Sequence, residues 1–129
     1  MPRKILVVDD DVDFLALMSA KLAKAGFTVL TAQDGDEALE ITRREGPDMV
    51  VLDYFLGAMT GDQICKSIKG DSRLKKIPVI LLSGSVASLS PEEFAAIPCE
   101  EKITKPFEMS MLLEMISRLL GPAPGAGPS

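Results

Sequence analysis

Short apolar runs and longer amphipathic stretches alternate along this chain. Runs rich in Val, Ile and Leu occupy residues 5–8, 27–31, 49–52 and 79–82, with a weaker one at 103–104. Helical spacing fills the gaps. Phe14, Met18, Leu22 and Ala25 lie three or four residues apart, and Gly26 follows as a stop. Ala38, Leu39 and Ile41 open a second helix that runs to Glu45 and closes at Gly46–Pro47. A third fits residues 62–69, with Ile64, Cys65 and Ile68 on one side. In "SPEEF", Ser90 caps a fourth, Pro91 takes its first position and Glu93 completes a capping box, with Pro98 beyond its end. The fifth covers residues 108–120, places Met109, Leu112, Leu113, Ile116 and Leu120 on a wide apolar face, and ends at Gly121. For Met111 and Met115 on the same helix, core and interface roles stay equally open.

Strand–helix alternation repeated five times implies an α/β fold, a parallel sheet with helices on both faces. The first, third and fourth runs are apolar without alternation, as strands buried on both sides must be. Right-handed crossovers and the doubly wound order 2-1-3-4-5 make strands 1 and 3 neighbours at the topological switch point. Ligands in such sheets bind beyond the carboxyl ends of the strands.

Composition narrows the function classes. A chain of 129 residues that is 47% hydrophobic suits one domain with a real core, predicted here over residues 1–121. Residues 122–129, rich in Gly and Pro, read as a flexible tail or the start of a linker. A net charge of −5 argues against binding nucleic acid or an anionic membrane by charge. No run approaches the roughly 20 apolar residues of a membrane span, and "ILVV" after "MPRK" is too short for a secretory signal. Cys65 and Cys99 form no CxxC and read as small buried or half-buried thiols of a cytoplasmic protein. The absence of histidine excludes Ser-His-Asp triads and His-ligated zinc.

The first run ends on Asp9, Asp10 and Asp11. Two carboxylates about 4 Å apart repel by roughly 4 kcal/mol at an effective dielectric near 20, so a cation or much water must sit there. Asp11 fits the cap of the first helix. The other strand ends carry Asp53, Ser83 and Lys105. Singly, an Asp there is usually a cap, a Ser before Gly a turn, and a Lys a solvated charge. The topology brings them to one edge, and the carboxylates then form a hard-oxygen site suited to Mg²⁺ or Mn²⁺. A metal, a hydroxyl and a lysine around a carboxylate suggest phosphoryl transfer, with Asp53 as the nucleophile and Ser83 and Lys105 holding phosphoryl oxygens. No P-loop is present.

In "ILVVDDD", "PDMVVLDYFLGAMTG", "IPVILLSGS" and "ITKPF" the chain resembles the receiver domain of two-component response regulators, of chemotaxis-regulator type, over residues 4–120. The resemblance implies a flavodoxin-like fold and a phosphorelay signalling switch, no enzyme beyond its own phosphorylation and dephosphorylation. It matches Asp53 to the phosphoacceptor, Asp10 to a direct metal ligand, and Asp9 to an acid that reaches the metal through water. It matches the backbone carbonyl of Phe55 to a third protein ligand, and Ser83 and Lys105 to the phosphoryl contacts. The Lys105–Pro106 bond is expected to be cis. The implied partners are a sensor histidine kinase or histidine phosphotransfer protein and a downstream target met through the fourth helix, fifth strand and fifth helix. Phosphorylation-dependent homodimerisation is compatible with that surface.

The chain departs from the family pattern at Gly57, usually Pro; at Thr60, usually Asp or Asn; at Gly84, commonly Ala; and at Lys102, often Tyr or Phe. The first three bear on loop flexibility. Lys102 removes the aromatic half of the usual relay and leaves Ser83 as the hydroxyl half. Phe55 and Ser85 stand at the two positions that influence acyl-phosphate lifetime, and a bulky Phe55 predicts slow self-dephosphorylation. Two other readings compete: a phosphorylation-independent pseudo-receiver, and a phosphohydrolase with an Asp nucleophile, which would want DxDx[TV] where Asp9-Asp10-Asp11-Val12 stands.

Overall fold

The computed structural model describes residues 3–84 and 89–121. Five parallel strands run in the order β2-β1-β3-β6-β7. They are β1 (Lys4–Val8), β2 (Thr28–Ala32), β3 (Met49–Asp53), β6 (Val79–Ser83) and β7 (Glu101–Thr104). β4 (Phe55–Leu56) and β5 (Met59–Thr60) form a separate antiparallel hairpin, so the predicted order 2-1-3-4-5 holds with β6 and β7 as its fourth and fifth strands. The helices are α1 (Val12–Lys24), α2 (Gly35–Glu45), α3 (Gly61–Lys69), α4 (Pro91–Ala95) and α5 (Met109–Leu120).

Side chains alternate across the sheet and build two cores. On one face Leu6, Val8, Val50, Leu52, Val79 and Leu81 pack with Ala38 and Leu39 of α2 and Ile64, Cys65 and Ile68 of α3. On the other, Ile5, Val7, Val51, Ile80 and Leu82 pack with Leu15, Met18 and Leu22 of α1 and with Leu112, Met115 and Ile116 of α5. β1, β3 and β6 are central, which is why their sequences are continuously apolar. The open choice on α5 is resolved: Met115 is core, while Met111 is 49% exposed.

Helix ends follow the local chemistry. Asp11 caps α1, its Oδ1 accepting from the amides of Asp13 and Phe14 at 3.0 and 3.2 Å. Gly26, at φ +102°, turns the chain out of α1. Ser90 and Glu93 form the predicted capping box of α4, which ends at Ala95, before Pro98.

The segment after β3 differs from expectation. It is a hairpin whose two-residue turn, Gly57–Ala58, needs a left-handed residue first, and Gly57 sits at φ +70°. Proline, fixed near φ −65°, cannot occupy that position. Thr60 then caps α3 in a box with Gln63, donating its amide to Gln63 Oε1 at 2.8 Å while its hydroxyl accepts from the Gln63 amide at 3.3 Å. Both departures therefore serve local geometry.

Candidate functional site

The carboxyl ends of β1, β3, β6 and β7 bring five of the sequence-predicted residues to one edge. Asp9 and Asp10 follow β1, Asp53 ends β3, Ser83 ends β6, and Lys105 follows β7. Asp9, Asp10 and Asp53 each offer a carboxylate oxygen, all within 4.8 Å of one another. Their environments differ. Asp9 is buried, Asp53 half-buried and Asp10 exposed. Asp9 Oδ1 accepts from the Asp11 amide at 2.9 Å, which fixes the carboxylate at the start of α1.

Lys105 completes the charge pattern. Its Nζ lies 3.1 Å from Asp9 Oδ2 and 3.4 Å from Asp53 Oδ1. The Lys105 amide donates to Ser83 O at 2.8 Å, tying the end of β6 to the lysine. The same ammonium stands 4.4 Å from the centre of the Phe14 ring, a cation–π contact. Phe14 thus belongs to the site, although its helical spacing suggested only core. The Lys105–Pro106 peptide is cis, as expected.

Burial raises the Asp53 carboxyl above its ordinary 3.8; the Lys105 charge opposes this, and the Asp9 charge adds to it. Its backbone is held closely. A Cβ on Gly61 would stand 3.0 Å from the Asp53 carbonyl oxygen and 2.7 and 2.6 Å from Leu52 Cδ1 and Leu81 Cδ1. Glycine is the residue that lets α3 begin against the end of β3.

Phe55 is 47% exposed, its ring edge-on to Tyr54 with centroids 4.8 Å apart. Ser83 is 2% exposed. Ser85 lies outside the described residues. Lys102 does not stand alone: its ammonium is 5.4 Å from the Phe94 ring centre, so α4 brings an aromatic to a β7 lysine. That pairing crosses two elements and leaves no local signal in sequence.

The acidic cluster fits a hard divalent cation. Three carboxylates converge with one lysine among them, a donor set of oxygen alone with an exposed member at its rim.

A five-stranded doubly wound sheet with carboxylates and a lysine at its carboxyl edge defines a class of α/β domain with a hard-oxygen site at the strand ends. Residues 5–117 match the response regulator receiver domain, and the chain belongs to that family. It is 30% identical over its full length to the alkaline phosphatase synthesis transcriptional regulatory protein PhoP of Bacillus subtilis, 53% of which it covers. It is 28% identical to the polar-differentiation response regulator DivK of Brucella anthropi, with 95% of this chain and 100% of DivK aligned. The chain thus spans about half of one such relative and all of the other.

Among solved structures, the chemotaxis response regulator CheY4 of Vibrio cholerae matches with a TM-score of 0.83 at 30% identity, covering 93% of this chain and 100% of that one. The response regulator TrrA of Thermotoga maritima, in complex with Mg²⁺ and BeF, matches with a TM-score of 0.81 at 27% identity, covering 92% and 99%.

Proposed function

We propose that this receiver domain is a phosphorelay switch that takes a phosphoryl group from a partner phosphohistidine onto Asp53. The observation that carries the reading is the cluster of Asp9, Asp10 and Asp53 within 4.8 Å, bridged by Lys105. A pure interaction surface has no need to hold like charges so close.

An Asp53 carboxylate oxygen attacks phosphorus as the bond from phosphorus to the donor histidine nitrogen breaks, leaving an acyl phosphate. Lys105, already beside Asp53, holds a phosphoryl oxygen, and the Ser83 hydroxyl at the end of β6 holds another. Asp10, Asp53 and the Phe55 carbonyl would hold Mg²⁺ or Mn²⁺, with Asp9 reaching it through water. The chemistry such an ion supplies is neutralisation of phosphoryl oxygen charge. The domain acts on no other substrate.

The donor is a sensor histidine kinase or histidine phosphotransfer protein. An apolar groove lined by Phe14, Leu17, Met18, Phe107 and Met109 opens beside Lys105 and suits such a partner's apolar face. Output passes through α4, β7 and α5, where Lys102 meets Phe94. Inverting a 1:99 equilibrium to 99:1 takes about 5.5 kcal/mol, within reach of one dianion and its contacts. The domain covers residues 1–121 and works in the cytoplasm.

Intact mass after incubation with Mg²⁺ and a small acyl phosphate tests this. One phosphoryl unit should appear on the native chain, and none on Asp53→Asn or with chelator. No gain on the folded native chain would favour the phosphorylation-independent interaction module instead.

A further inference from the structure

Away from the acidic site, the described residues bring together the chain's two cysteines, 34 positions apart. Cys65 on α3 is 0% exposed, inside the cluster with Ile64, Ile68 and Val79. Cys99, just before β7, is half-buried and packs against the same cluster that holds Cys65. A second set of contacts sets the approach. Lys69, one turn beyond Cys65, donates from Nζ to the carbonyls of Lys75 at 3.2 Å and Ile77 at 2.7 Å. It also meets Glu100 Oε2 at 2.9 Å. Glu100, the neighbour of Cys99, accepts from the Val79 amide at 2.7 Å and donates its own amide to Val79 O at 2.9 Å. α3 and the Cys99 segment are thereby both fastened to the start of β6.

We propose that Cys65 and Cys99 are a modification site at which a hydroperoxide oxidises Cys99 and Cys65 then closes an intramolecular disulfide. The two sulfurs are suited to unlike roles. Cys99 is half-buried and Cys65 fully buried, and the neighbouring Cys65 thiol, then the Lys102 ammonium, lower the Cys99 thiol to about 7 against opposing burial. The neighbouring Cys99 sulfur and burial raise Cys65, which keeps its proton. Half-burial admits a small peroxide to Cys99, while the core shields Cys65.

In the first step the Cys99 thiolate attacks a peroxide oxygen. The S–O bond forms, the O–O bond breaks, and the peroxide's other oxygen leaves with the proton the Cys99 thiol had released, as an alcohol, or as water from hydrogen peroxide. In the second, the Cys65 sulfur attacks the sulfenic sulfur. The S–S bond forms, the S–O bond breaks, and the Cys65 proton leaves with the hydroxyl as water. Two thiols are oxidised and one peroxide is reduced. The bond joins α3 to the segment leading into β7, the strand that carries Lys102.

The full chain treated with hydrogen peroxide in chelator, then read by intact mass and peptide mapping, tests this. The expected product is lighter by about 2 Da, joins the Cys65 and Cys99 peptides, and reverts with dithiothreitol. Cys65→Ser should stop at a Cys99 sulfenic acid captured by dimedone, and Cys99→Ser should leave Cys65 unmodified. The wild-type map decides the matter even where a core variant folds poorly. Two free thiols after treatment would overturn the proposal. So would Cys99 sulfinic acid beside a free Cys65, or a product joined only between chains.

Discussion

Replacing Lys105 with methionine isolates what the lysine does before any phosphoryl group arrives. Methionine keeps an apolar stem against Phe14 and removes the charge. In the native domain Nζ faces Asp9 at 3.1 Å and Asp53 at 3.4 Å. At an effective dielectric near 20, each contact is worth about 5 kcal/mol of attraction before desolvation is set against it. The Asp9 and Asp53 side chains are 3% and 14% exposed, and that of Lys105 is 26%. Removing one partner of a fully buried pair costs about 3–5 kcal/mol; partial exposure here reduces the expectation to about 2–4 kcal/mol. Urea unfolding in chelator should show this loss near neutral pH. The loss should shrink at low pH, where the orphaned carboxylates take up protons. Magnesium at 100 times its dissociation constant should return about 2.7 kcal/mol to any form that binds it only when folded. Lys66→Met is the control, since the Lys66–Asp62 pair spans one helical turn with Lys66 66% exposed, and such pairs give about 0.3–0.5 kcal/mol. A Lys105→Met loss no larger than that of Lys66→Met, or one unchanged by pH, would refute the electrostatic account.

Asp53 predicts a pH dependence of its own. Its folded carboxyl titrates above the unfolded value, so the native state binds the extra proton and stability falls as pH rises from about 4 through the folded pKa. Asp53→Asn should therefore be more stable than wild type above that window and equal to it near pH 3, as urea midpoints in chelator would show; the opposite ordering would contradict burial as the dominant cause. Gly61→Ala should lose about 1–3 kcal/mol from overpacking, because its Cβ meets Leu52, Leu81 and the Asp53 carbonyl, and phosphorylation of Asp53 should slow with it. Phe55→Asn should shorten the life of the acyl phosphate several-fold by admitting water where the exposed ring now stands; unchanged decay would remove the shielding role from Phe55.

The parts of the fold legible in sequence are those set by burial on both sides. β1, β3 and β6 are central, confine polar residues to their ends, and so announce themselves as unbroken apolar runs. The edge strand β7 reads weakly because Glu101 and Lys102, only half-buried, disguise its first two residues. The acidic site was legible for a different reason: each member directly ends or follows a strand, so topology alone gathers them. Hairpin β4–β5 was hidden by its two-residue strands, although a Gly-X turn flanked by Leu56 and Met59 is a local hairpin signal. The Cys65–Cys99 approach depends on how α3 packs beside the segment before β7, and nothing local encodes it.

The departures from the family pattern are better explained by their surroundings than by the flexibility that sequence suggested. Gly57 supplies the left-handed turn of a hairpin, and Thr60 caps α3 through its hydroxyl. Lys102 follows the same logic on β7. An ammonium withdrawn into an apolar pocket is costly, but over the face of Phe94 it keeps an electrostatic partner and partial exposure. The aromatic absent from β7 is thus met by one on α4, and the pair links the two elements. A displacement of α4 against β7 would separate charge from ring, and β7 is the neighbour of β6, whose last residue, Ser83, stands one strand over from Asp53.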